Sequence, residues 1–122
     1  MYEASKEVVF RAGHGLALGA GERERVHRHN WRVRATVRRE ELNGEGLVLD
    51  FQELERALRG AVEPLSQAAR LEDLEEFRGM NPSTERVART IYERLRERLP
   101  AGVELAEVAV WETGSCRAAY RP

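Results

Sequence analysis

Residues 26–39 (VHRHNWRVRATVRR) alternate with a period of two: Trp31, Val33, Ala35 and Val37 share one parity, and Arg32, Arg34, Thr36 and Arg38 share the other. This is the pattern of a long half-buried β-strand. His27 and His29 carry the parity of Trp31 and Val33, so they continue the apolar face, side by side. A histidine on such a face needs a partner, either a metal or a hydrogen bond. The chain has three histidines, and the third, His14, completes the spacing His-x12-His-x-His. Placed on a neighbouring strand, His14 supplies a third nitrogen. Three protein ligands with a fourth position open is the arrangement of a catalytic rather than a structural zinc. The alternative for each histidine is a surface or hydrogen-bonded role.

The chain of 122 residues is expected to form one domain, 1–122, with 42% hydrophobic and 34% charged residues and a net charge of −1. That balance suggests neither nucleic acid nor an acidic membrane surface as a partner. Lys6 is the only lysine among the twenty basic residues, and Arg and Glu run together, as in Tyr92–Arg98. Such runs read as solvated, salt-bridged helix faces. The single cysteine, Cys116, excludes an internal disulfide and a cysteine-rich metal cage. With no apolar run long enough to span a bilayer and no signal-peptide core, the expectation is a cytoplasmic protein. A domain this small and near neutral is also a candidate for hiding apolar surface in an oligomer.

Residues 5–12 read as a first strand, and glycines at 13, 15, 19 and 21 read as a flexible loop through residue 25. After the turn Asn43–Gly46, Leu47–Leu49 form a short extended piece. Asp50 caps a helix, with Glu53 in the capping-box position and a stripe of Leu54, Ala57, Leu58, Ala61 and Val62. Residues 66–78 are partly helical. Asn81–Glu85 opens a second helix with Pro82 in its first turn, striped by Val87, Ala88, Ile91, Leu95 and Leu99. Residues 104–111 and 116–121 are strands. The order β-β-α-α-β-β predicts an α+β domain, an antiparallel sheet with its helices on one face. No glycine-rich dinucleotide loop is present, which argues against a Rossmann-type oxidoreductase.

Five segments, in this order, resemble motifs of the 6-pyruvoyltetrahydropterin synthase family, which includes the 6-carboxytetrahydropterin synthases of queuosine biosynthesis. Phe10–His14 resembles F-x-A-x-H, and His27–Trp31 resembles H-G-H-N-[YW]. Gly46–Phe51 resembles G-[ML]-[VL]-x-D-[FL], Asn81–Glu85 resembles N-P-[ST]-x-E, and Val110–Thr113 resembles V-x-E-T. The resemblance implies a tunnelling fold (T-fold) assembled as a trimer or a dimer of trimers, a homohexamer. It implies zinc (Zn2+) on His14, His27 and His29, and a pterin substrate anchored by Glu112, whose carboxylate can accept both N–H donors of the ring edge. Without the resemblance Glu112 reads as a surface carboxylate at a strand end. Ser83 and Thr84 either donate to the same ring or cap the helix. The implied reaction is that of a lyase eliminating triphosphate from 7,8-dihydroneopterin triphosphate.

The departures from the family pattern are as informative. Many members carry a catalytic cysteine four residues before the first histidine of H-G-H; here that residue is Arg23, which cannot act as a base. Cys116 lies far along the chain and reads as a small hydrophobe. The family's Asp-His pair falls at Ser66 and Gln67. Arg28 replaces the glycine of H-G-H and by parity faces away from the histidines. Glu24, three residues before His27, resembles a subgroup in which a glutamate replaces the cysteine and cleaves the side chain to 6-hydroxymethyl-dihydropterin for folate synthesis. The alternative for Glu24 is a solvated place in its charge run. Three readings follow: a zinc-dependent pterin lyase, a homologue that binds a pterin or purine-like ring without turnover, and an oligomeric scaffold with a vestigial metal site.

Overall fold

The computed structural model describes Met1–Pro122. The expected order is observed: β1 (Tyr2–His14), β2 (His27–Arg39), α1 (Phe51–Val62), α2 (Thr84–Arg96), β3 (Glu104–Thr113) and β4 (Cys116–Tyr120). The strands form one antiparallel sheet in the order β1-β2-β3-β4. Both helices pack on a single face of it. Strand β1 is longer than the sequence pattern suggests, running the full length of β2 from Tyr2 opposite Arg39 to His14 opposite His27.

Inward-facing Val8, Phe10 and Ala12 of β1, Trp31, Val33, Ala35 and Val37 of β2, and Leu105, Val108 and Val110 of β3 are buried. They meet the helix stripes, Leu54, Leu58, Ala61 and Val62 from α1 and Val87, Ala88, Ile91 and Leu95 from α2. Trp31 is fully buried, stacks on Phe10 at a centroid distance of 6.1 Å, and donates its Nε1–H to the Ala12 carbonyl at 3.1 Å. That bond satisfies the one polar atom of a large buried ring. It also ties the site end of β1 to β2.

The opposite face is free of helices and charged. Glu107 is buried there and receives Arg121 at 2.5 Å and Arg34 and Arg117 at 3.4 Å each. The Arg32 guanidinium lies 4.1 Å from the centre of the Trp111 ring, a cation–π contact. Arg28 is exposed, on the parity opposite to His27 and His29.

Asn43 closes the turn before the short piece Leu47–Leu49, its Oδ1 accepting from Glu45 and Leu47 N–H, and Val48 and Leu49 are buried in the core. Four local expectations are corrected. Asp50 does cap α1, but its side chain takes the Gln52 N–H at 2.7 Å rather than that of Glu53. Pro82 precedes the N-cap Ser83 instead of lying in the first turn of α2, and Leu99 falls beyond the helix end at Arg96. Residues 15–25 are not a loose loop. Leu18 N–H donates to Glu22 O, Glu24 N–H donates to Leu16 O, and Ala17 bridges Arg23 across a short turn in which Gly21 takes φ +79°.

The close approach of other backbone to the end of β1 requires glycine. A Cβ on Gly13 would overlap the Ala69 carbonyl, and one on Gly15 would lie 2.8 Å from Glu24 O. Gly13→Ala is therefore expected to lower stability by about 1–3 kcal/mol in urea unfolding. Gly19→Ala, where nothing lies within 4 Å, is expected to stay within about 0.5 kcal/mol of the parent.

Candidate functional site

Antiparallel register assembles the site. His14, the last residue of β1, sits directly opposite His27, the first of β2, and His29 is opposite Ala12. Three imidazoles thus meet at one end of the sheet, with ring centroids 4.6 Å apart for His14–His27 and for His27–His29, and 5.6 Å for His14–His29. Trp31 forms their floor, edge-on to His14 at 4.9 Å and to His29 at 5.8 Å. His14 is buried, while His27 and His29 are half-buried.

Backbone carbonyls fix which nitrogens face inward. His14 Nδ1–H donates to Pro82 O at 2.9 Å, and His27 Nδ1–H donates to Arg25 O at 3.0 Å. A carbonyl only accepts, so the proton of each neutral ring is on Nδ1 and the lone pair is on Nε2. The Nε2 atoms of His14 and His29 are buried without a hydrogen bond. A carbonyl holding one ring nitrogen in this way turns the other toward a point where a metal could be bound. Desolvation pushes the His29 imidazole below its ordinary pKa; Glu112 opposes that shift, and His27 and His14 add to it.

Glu112 joins the cluster. Its Oε1 touches His14 Nε2 and lies 3.6 Å from His29 Nε2 and 3.9 Å from His27 Nε2. The donor atoms of His14, His27, His29 and Glu112 all fall within 4.8 Å of one another. These four residues could hold a metal ion. The sequence reading keeps Glu112 apart as a ring anchor; the fold brings it against the histidines.

The remaining candidates have defined places. Ser83 caps α2, its Oγ accepting from Arg86 N–H at 3.2 Å, and Thr84 is the first helical residue, half-buried. Glu24 is half-buried, and its Oε1 accepts the Leu16 N–H at 3.0 Å. It is held in the closed loop rather than left in a solvated charge run. Ser66 and Gln67 bring no titratable group; Gln67, with φ +66°, donates its N–H to Arg11 O on β1. Cys116 is exposed at a strand end, the first residue of β4.

Sequence reasoning missed the braces. Glu72 takes the Gly15 N–H with both carboxylate oxygens, at 3.0 and 3.2 Å. Arg23, which stands at the family's cysteine position, donates to Gly15 O at 3.0 Å and to Glu72 Oε2 at 3.4 Å. Asn81 grips Ala17 like a strand neighbour, its Oδ1 accepting at 2.7 Å and its Nδ2 donating at 3.0 Å. No local pattern marks Glu72. Asn81 and Pro82 stand in a quoted motif, but there they read as helix-start residues.

The family model described as 6-pyruvoyl tetrahydropterin synthase matches residues 3–122. The chain belongs to the 6-pyruvoyl tetrahydropterin synthase family. It is 31% identical to 6-carboxy-5,6,7,8-tetrahydropterin synthase of Bacillus subtilis, over 99% of this chain and 86% of that protein. It is also 31% identical to dihydroneopterin monophosphate aldolase of Pyrococcus furiosus, over 92% of this chain and 87% of that protein. The fold is similar to that of Caenorhabditis elegans 6-pyruvoyl tetrahydropterin synthase, with a TM-score of 0.84 and 21% identity over 99% of this chain and 95% of that one. No helix is long and apolar enough to cross a membrane.

Two outcomes follow from the site. Glu72→Ala leaves the Gly15 N–H without its acceptor and is expected to cost about 1–3 kcal/mol in chemical denaturation. Loss of Arg23, which is 47% exposed, is expected to cost less than about 1 kcal/mol, since exposed ion pairs contribute little. The second concerns pH. The folded chain holds His29 neutral below its ordinary pKa, so the unfolded chain binds the extra proton and stability rises with pH through that window. In chelator, the urea midpoint is expected to be flat above about pH 6.5 and to fall as pH drops below it. His29→Gln should flatten that decline.

Proposed function

We propose that this chain is a zinc-dependent lyase acting on the side chain of 7,8-dihydroneopterin triphosphate, of the 6-pyruvoyl- or 6-carboxytetrahydropterin synthase type. The observation that carries this reading is the convergence of three imidazoles, two with Nε2 lone pairs fixed by carbonyls and two with buried, unpartnered Nε2 atoms. In the reading, His14, His27 and His29 are the metal ligands. A zinc ion there would act as a Lewis acid, lowering the pKa of side-chain hydroxyls and polarising the adjacent carbon. Neutral imidazoles suit that task, and the depressed pKa of His29 keeps it available to a cation at near-neutral pH.

Glu112 accepts the two N–H donors of the 2-amino-4-oxo ring edge as a bidentate pair. The Ser83 hydroxyl proton and the Thr84 hydroxyl are the further donors offered to the ring. The substrate is a small molecule, and neither nucleic acid nor membrane is a partner. The domain 1–122 works in the cytoplasm as a homo-oligomer, a trimer or dimer of trimers, extending its sheet through the open edges of β1 and β4.

A second reading is favoured by the residues flanking the histidines. Arg23 stands where many members have a cysteine and is committed to Gly15 and Glu72. Ser66 and Gln67 replace the Asp-His pair. Glu24, half-buried in the loop that runs into His27, is then the remaining candidate base from this segment. A glutamate there fits cleavage of the side chain to 6-hydroxymethyl-dihydropterin, and the likeness to an aldolase supports it. A ring-binding homologue without turnover is the remaining outcome.

Incubating metal-replete protein with 7,8-dihydroneopterin triphosphate and separating the products distinguishes these. Release of 6-pyruvoyl- or 6-carboxy-tetrahydropterin is expected on the first reading and 6-hydroxymethyl-dihydropterin on the second. Tight binding without product would sink both. His27→Ala is expected to drop bound zinc from about one ion per chain to near none, measured by elemental analysis. Glu24→Gln is expected to slow turnover by about 10²–10⁴-fold if Glu24 is the general base.

A further inference from the structure

Glu112 has two claimants in the reading above, the pterin ring by its motif and the histidine cluster by its position. Distance decides what that position is. An oxygen standing in place of a cation would lie about 2.0–2.1 Å from every ligand nitrogen, whereas an oxygen at a fourth tetrahedral vertex would lie roughly 3.3 Å from each. Glu112 Oε1 is 3.6 and 3.9 Å from His29 and His27 Nε2, separations of a vertex rather than a centre. It leans toward His14, with which it is in contact.

Chemistry points the same way. With Nδ1 committed to Pro82 O, the His14 ring turns Nε2 toward the Glu112 carboxylate, so a nitrogen and an oxygen that can each ligate zinc face one another. The backbone sets Glu112 apart from its neighbours. The pairing of β3 with β4 shifts register between Trp111 and Thr113, so Glu112 is the residue left out of the ladder. Bulges of this kind re-aim a side chain beside a site.

Resting on the zinc and pterin reading, we propose that Glu112 is an exchangeable ligand. Before a ring binds, its carboxylate closes the fourth position of a metal held by the three histidines. When a pterin ring arrives, the carboxylate transfers to the ring's N–H donors, and the position it leaves is open to the substrate's side-chain hydroxyls. Ring recognition and opening of the metal thereby become one event. The exchange breaks no covalent bond, and the ring's two donors replace the cation as partner of the carboxylate charge.

The test uses full-length protein stripped with a chelator and reloaded with Co(II), whose visible bands report coordination. Glu112→Ala is expected to shift the bands and to weaken zinc affinity by at least about tenfold in competition with a chromophoric chelator. Glu112→Gln, which keeps the side chain's volume, guards against a folding defect and is expected to weaken zinc likewise. The second probe is 6-methylpterin, which has no side-chain hydroxyl to offer the metal. Added to wild-type Co(II) protein, it is expected to move the bands to those of ring-free Glu112→Ala. Unchanged bands in both Glu112 variants would overturn the ligation, and ring binding by fluorescence without a band shift would overturn the exchange. Failure of the wild type to take up cobalt overturns the metal reading beneath the proposal, and failure to bind 6-methylpterin overturns the pterin reading. These failures are distinguishable from one another.

Discussion

The antiparallel pairing of β1 with β2 is the constraint on which the site depends, because it places His14 directly opposite His27. The side-chain period of a strand is two, so a slip of one residue would turn His14 to the arginine face and leave two imidazoles without the third. Register is held by what lies behind the histidines. Val8, Phe10 and Ala12 pair with Val33, Trp31 and His29, all on the helix side of the sheet. Trp31 adds direction to this packing, since its Nε1–H reaches the Ala12 carbonyl only in the observed register. One aromatic residue thus serves as core, as latch between two strands, and as the floor beneath His14 and His29.

A cluster of imidazoles at a strand end must also be oriented, and here the chain uses backbone rather than side chains. The Pro82 carbonyl holds His14 and the Arg25 carbonyl holds His27. Proline suits its place: it has no N–H to satisfy, and it precedes a capped helix whose Ser83 turns the chain into α2. Asn81, one residue earlier, pins the same segment to Ala17. The Asn81–Glu85 motif therefore joins α2 to the loop above the histidines, and it orients a ring nitrogen sixty-eight residues away in the chain.

This division explains what could be read from the sequence. The alternation around Trp31, the stripes of α1 and α2 and the Asp50 and Ser83 caps are local signals, and they placed the elements and the three histidines on one face. Glu72 was invisible because its partner is a backbone N–H fifty-seven residues distant, and such contacts leave no mark on residue type or spacing. The region 13–25 misled for a related reason. Its glycines read as looseness, but Gly13 and Gly15 are small because other backbone passes against them. Glu112 shows the same limit: its motif names a ring partner, while only the fold brings it to the histidines.

The residues that depart from the family pattern carry the remaining argument. Arg23 does not simply vacate a nucleophile's position; it spans Gly15 O and Glu72 and helps close the loop that leads into His27. A cysteine there would supply a thiol but not that bridge. Glu24, next in sequence, is drawn inward by its bond to Leu16 N–H. Because that bond uses Oε1, the second oxygen is still available to accept a proton. A carboxylate held by one hydrogen bond, in the loop that leads into His27, is chemically unlike a thiol with a separate Asp-His relay. With Arg23, Ser66 and Gln67 in place, the chain keeps the four residues that could hold a metal ion, and of the groups that can take up a proton this loop offers the Glu24 carboxylate.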